Sequence, residues 1–372
     1  FKLVAVSVVT VFISTLVMVD LLRCRQSEAA ELGLPQPGTL LTAGVVHQAP
    51  IMKGVRFNPQ DPLNLEFIFD SGSEKAVDQS QARQLIEYFI AGLLVPESDL
   101  WVNLSPYESE RVVPQALGET ALGRDMLATD YVLKQLASSL THPDSETGKA
   151  YWNLKSEISD QDFSKVWVMP DAANMIDAET AGYIIDATLK VMTEADYTAL
   201  QESGLRPSSI VPANEVSDRP SAMSSLLPAI TSDVNEGKNF ETLRQIYHSL
   251  LLATWFKKNF MNTFYKQYFD STGVDGVPSG DPDARKKIYD LYVSAFNKGA
   301  YDLYKKERNE TGRVARRRYF SGGAVMTNLF EATQYQPVGA DTRNDFVRSI
   351  DGNSFACSAV VLNNGTASSA ME

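Results

Sequence analysis

Residue types that do chemistry are thinly spread in this chain. Its 372 residues include three histidines and two cysteines. His47, His142 and His248 lie in three separate segments, and Cys24 and Cys357 stand near opposite ends. No Ser-His-Asp or Cys-His arrangement assembles from neighbouring signatures, and there is no H-E-x-x-H pair. Two cysteines are too few for a disulfide framework, and a zinc site lacks its other ligands. The sequence thus supplies no catalytic, cofactor-binding or metal-ligating residue, and no cofactor is expected. His248, inside the longest helical pattern, is read as a cap or interface residue.

Three polar constellations remain. Asp125 and Asp130 stand five residues apart in GRDMLATDY, so on a helix they diverge by more than a quarter turn. Arg124 and Lys134 are nearer partners, which predicts a solvated salt-bridge face. The turn DVNEGKNF, residues 233–240, offers Asn239 as a helix cap, and Lys238 and Asn239 as contacts for an anion or a partner. Arg316, Arg317 and Arg318 follow Arg313 in the one dense basic patch, suited to an anionic partner or to an acidic face of the same fold. Ser321 before two glycines resembles half of a nucleophile elbow, but G-x-S-x-G is not completed.

The elements that must position these residues follow from periodicity. LNLEFIFD, residues 63–70, alternates as a half-buried strand apart from Ile68. Helices are predicted over 79–94, 119–140 and 144–154, and short strands over 100–104 and 166–169. Residues 174–177 and 183–192 read as an antiparallel hairpin. Helices are predicted again over 222–235, 239–268 and 281–307, the last two as a long antiparallel pair. The fold class expected is α+β: an N-terminal apolar helix, a small antiparallel sheet with several helices, and that long pair. The expected organisation is an anchor or signal helix at 1–22, a flexible linker at 23–50, an α+β part at 51–202, a linker at 203–221, a helical part packed on it at 222–323, and a mostly disordered tail at 324–372 with one possible strand at 355–362.

Residues 3–19 (LVAVSVVTVFISTLVMV) are apolar apart from four hydroxyl residues, which on a helix bond back to their own backbone. A membrane anchor or a signal peptide is expected there, with the working part extracytoplasmic, in the periplasm or at the cell surface. The chain begins with Phe, as type IV pilins do, and an N-terminal piece is expected to be missing; Ala5 stands where pilins carry Glu. The net charge of −12 argues against nucleic acid as a partner.

The strings DLWVNLSPYE, GRDMLATDYVLKQLASSL, VWVMPD, LKVMTEADYTAL, DVNEGKNFETLRQIYHSLLLATWFKK and RRYFSGG occur in order between Asp61 and Gly323. They resemble an uncharacterised family of exported bacterial proteins. The resemblance implies export and domain extent, and no activity. The resulting expectation is an exported or membrane-anchored cell-envelope protein acting as a non-enzymatic binding or structural subunit. A protein partner or self-association is expected, with aromatics such as Tyr247, Trp255, Phe256, Tyr265, Tyr268, Tyr292, Phe296, Tyr301 and Tyr304 as a possible contact surface. The alternatives are a hydrolase-like envelope enzyme built on carboxylates such as Asp125, Asp130 or Glu236, and a pilin-like filament subunit.

Overall fold

The computed structural model describes residues 32–58, 61–105, 112–142, 146–155, 165–178, 180–203, 225–260, 283–297, 321–337, 357–363 and 366–369. Expectations for residues 1–22, for most of the 203–221 linker and for Arg316, Arg317 and Arg318 lie outside the described residues.

Strand β1 (Ile51–Asn58) pairs antiparallel with β2 (Asp61–Asp70). A register shift after Met52 restores the phase, so Met52, Val55 and Phe57 oppose Phe69, Phe67 and Leu65, and all six are buried. The hairpin of β4 (Lys165–Ala178) and β5 (Ala181–Thr193) is present as expected, but β4 is far longer than 166–169 and runs through Pro170. The proline is tolerated because of what lies on its other edge. β6 (Ser321–Val325) pairs with β4 up to Val168, and β7 (Thr333–Pro337) takes over from Ala173. Pro170 falls in the gap, beside a register shift, where no ladder bond is lost.

The sheet is neither small nor purely antiparallel. Among the described residues it has nine strands, ordered β3-β6-β4-β5-β1-β2-β8-β9 with β7 also on β4, and β6 and β7 both run parallel to β4. Here β3 is Trp101–Val102, β8 Cys357–Asn363 and β9 Thr366–Ser369. Four of these strands come from residues 321–369, most of which were expected to be disordered. The reason is geometric: parallel strands are joined by chain from far along the sequence, and short Gly-, Ser- and Thr-rich strands carry no periodic signal.

Nine helices are described: α1 (Gln79–Leu94), α2 (Gln115–Gly118), α3 (Ala121–Leu140), α4 (Glu146–Lys155), α5 (Glu194–Ser203), α6 (Leu227–Glu236), α7 (Glu241–Phe260), α8 (Ala284–Asn297) and α9 (Leu329–Ala332). Helix α1 starts in a capping box, with Asp78 accepting from Ser80 and Gln81 while the Gln81 side chain accepts from the Asp78 amide. Gly92 lets α1 approach α7, since a Cβ there would stand 2.7 Å from Leu250 Cδ2. Helix α7 also packs on β1 and β5, and α8 packs chiefly on α3; the rest of the pair expected over 239–268 and 281–307 lies outside the described residues. Tyr247, Trp255, Phe256 and Tyr292, expected as a contact surface, are all core residues. Phe57, Phe67, Phe89 and Phe256 form an edge-to-face chain with centroids 5.1 to 6.2 Å apart. Among the described residues no helix is long and apolar enough to cross a membrane.

Helix α3 is the centre of the fold and is buried nearly all round, including Asp130, Lys134, Gln135, Ser138 and Ser139. The Asp130–Lys134 part of the face expected to be solvated is therefore covered, while Arg124 and Asp125 stay partly exposed. Asp130 and Lys134 form an ion pair with both side chains at 1% exposure or less. Asp130 Oδ2 accepts from the Leu104 amide at 2.8 Å, and Lys134 donates to the Gly322 carbonyl at 2.8 Å. Burial pushes the Asp130 carboxyl up and the Lys134 ammonium down, each opposed by the other's charge. Gly322 (φ 92) is required at this contact, because a Cβ would meet the Val166 carbonyl oxygen at 2.1 Å.

Removing one partner leaves the other charge buried and unpaired. Asp130→Asn or Lys134→Met is therefore expected to cost about 3 to 5 kcal/mol in urea unfolding, while the double replacement by apolar residues costs markedly less. Equal costs for single and double variants would contradict this account.

Candidate functional site

Lys238 and Asn239 sit at the start of α7. The Asn239 amide donates to Thr42 O at 3.0 Å and to Asp233 Oδ2 at 2.7 Å, and the Lys238 backbone amide donates to Val45 O at 3.1 Å. The Asn239 side-chain amide and the Lys238 backbone amide are thus taken by acceptors of the protein itself, with the buried Asp233 carboxylate among them, while the Lys238 side chain is exposed. Arg244, one turn on, donates to the carbonyls of Val234 at 3.0 Å and Gly237 at 2.8 Å, and to that of His47 at 3.0 Å. Its guanidinium neutralises the C-terminal carbonyls of α6, which have no partner within the helix.

Residues 32–50, within the span expected as a flexible linker, are held along their length. Tyr131 donates to Pro35 O at 2.9 Å, the Leu41 amide to Ser139 Oγ at 2.8 Å, and the His47 amide to Glu236 O at 2.8 Å. Val46 forms an antiparallel bridge with Gly237, and Gln245 donates to Pro50 O at 2.8 Å. The strap supplies backbone partners to Tyr131 and Ser139 of α3 and to the turn before α7.

The other candidates are separated. Asp125 accepts from Tyr88 at 2.6 Å and from the Arg124 guanidinium at 2.8 Å, between α1 and α3. Asp130 instead turns toward β3 and β6, so the two carboxylates serve different sides of the helix. Ser321 belongs to a strand flanked by β3 and β4. His248 is buried on α7, hydrogen-bonded to the Met52 backbone, and its Nδ1 has no hydrogen-bond partner among the described residues. Burial, helped by the charges of Lys53 and Arg244, brings its imidazole down to about 3.

The chemically richest corner was missed in the sequence. It lies where the last turn of α7 meets β4 and the β6–α9–β7 segment. Asp177 Oδ1 accepts from Trp255 Nε1 at 2.9 Å, and its Oδ2 lies 3.9 Å from Lys258 Nζ. Lys258 Nζ stands 3.8 Å from the centroid of Tyr335 and 5.4 Å from that of Phe330, and the two rings are 5.8 Å apart. On the adjacent side Lys257 donates to Val95 O at 3.4 Å, and Glu97 Oε1 accepts from the Leu329 amide at 2.8 Å. Burial brings the Lys257 ammonium down to about 8, with Glu97 acting the other way. Asn328, beside this corner, holds a left-handed backbone at φ 60. The one visible signal was Lys257, which interrupts an otherwise apolar helix face.

Among the described residues no group of His, Cys, Asp and Glu is arranged to hold a metal ion. Compared with protein-family models, curated proteins and solved structures, the chain finds no match in any of the three.

His248 binds its proton more weakly in the folded chain than in the unfolded one, where 6.5 is the ordinary value. The unfolded state then holds more protons between pH 6.5 and about 3, so stability rises with pH across that window and is lost on acidification. The loss from this group approaches about 1.4 kcal/mol per pH unit, and His248→Gln should flatten that part of the wild-type stability curve. Arg244→Met is expected to cost about 2 kcal/mol and to speed hydrogen exchange at the His47 amide, since both ends of the strap contact lose their charged donor. Unchanged exchange there would mean that the strap is held by other bonds.

Proposed function

We propose that the chain is an exported or membrane-anchored cell-envelope protein that works as a non-enzymatic binding or structural subunit. The observation that carries this reading is the use made of its ionisable groups. Asp125 and Asp130, which a carboxylate hydrolase would need side by side, are committed to Arg124 with Tyr88 and to Lys134. His248 is buried against a backbone partner and kept neutral. A general acid or base needs a carboxyl or imidazole that reaches substrate, and these groups spend their bonds on the fold.

The apolar run at residues 3–19 and the strings resembling the exported family support the placement. A protein contact is best served by the corner around Phe330, a residue 48% exposed beside charged groups.

Full-length protein in membranes is expected to stay in the pellet on alkaline carbonate extraction; release into the supernatant removes the anchor. A photo-crosslinking amino acid at position 330 is expected to give a discrete adduct in intact envelopes. The enzyme alternative wins if an envelope-hydrolase activity is found that Asp125→Asn abolishes without changing the Tm.

A further inference from the structure

An aromatic pair with a carboxylate beside it is the arrangement that holds a cation, and here the chain's own Lys258 stands in it. We propose that this corner is a binding site for an organic ammonium ion. Phe330 and Tyr335 supply ring faces, Asp177 supplies the counter-charge, and Lys258 occupies the site as an internal competitor. The acceptor is built before any ligand arrives. Asp177 is oriented by the Trp255 indole N–H at 2.9 Å, and Trp255 is fully buried. The rings are fixed by α9 and β7, which are locked to β4 by the parallel ladder from Ala173 to Asp177.

The site also opens to solvent. The side chains of Lys258 and Asp177 are 35% and 24% exposed, and Phe330 is 48% exposed. A lysine on a flexible four-carbon stem can leave such a site without moving the backbone. A quaternary ammonium suits the rings better than a primary one, because its charge is spread over methyl groups and is more weakly hydrated. Near neutral charge balance favours exchange of one cation for another: Asp177 and Glu97 stand here with Lys257 and Lys258.

The inference deepens the binding-subunit reading and rests on it for its biological setting. Choline and its neutral isostere 3,3-dimethylbutan-1-ol are to be titrated into the full-length wild-type protein, Lys258→Ala, and Lys258→Ala with Phe330→Ala. Calorimetry and saturation transfer to the choline N-methyl protons give the readout. Removing the competitor is expected to tighten choline binding about tenfold, the isostere to bind at least about tenfold more weakly, and Phe330→Ala to reverse most of the gain. Both substituted residues are surface residues, so an unchanged Tm certifies each variant. Equal choline affinity in wild type and Lys258→Ala, equal affinity for choline and isostere, or indifference to Phe330→Ala would each overturn the proposal. Release by carbonate alone sinks the envelope anchor and leaves this site standing; loss of choline binding alone does the reverse.

Discussion

The rest of the structure depends on one buried ion pair. Asp130 and Lys134 sit a helical turn apart on α3, and each spends its second bond outside the helix, on Leu104 and on Gly322. Two charges taken out of water are tolerated only when every remaining lone pair and proton finds a partner. That requirement is directional. It places the end of β3 and the glycines of β6 at defined points against α3, which apolar packing would leave free to slide. Through β6 the constraint reaches β4, and through β4 the whole sheet.

A second constraint follows from the polarity of α3. A central helix with buried polar groups needs partners beyond its neighbouring helices, and the strap brings backbone groups to meet Tyr131 and Ser139, while Gln135 donates to the Tyr131 hydroxyl. Ser139 Oγ donates to Gln135 O at 2.7 Å and accepts from Leu41, so one hydroxyl is used in both directions. Arg244 does the corresponding work between α6 and the strap, filling carbonyls that a helix end leaves open. Among the described residues these polar groups thus build the fold. At the corner around Lys258, charge and exposed aromatic surface meet.

Local elements were legible from residue pattern alone. Helix α1 occupies the predicted 79–94, and α3, α4 and the β4–β5 hairpin fall within a few residues of expectation at most of their ends. The strand expected at 355–362 is present at Cys357–Asn363. In each case the signal is local: a cap, a 3.6-residue or 2-residue period, a turn. The candidate corner gave no such signal. Its residues lie at 97, 177, 255–258 and 330–335, and no short window holds the rings together with the cation and the carboxylate.

What the sequence determined by itself is therefore where helices and hairpins form, that the class is α+β, and that no ready-made catalytic triad or metal motif is written in it. The tertiary structure alone decided which polar residues are core and which are surface. Asp130 and Asp125 look alike along the helix, yet one is sealed against β3 and β6 and the other shared between α1 and α3. It alone decided that residues 321–337 run parallel to β4 and carry Phe330 and Tyr335 to the end of α7. The physical reason is that burial and parallel pairing are set by chain from distant positions, and distance along the sequence leaves no trace in local periodicity.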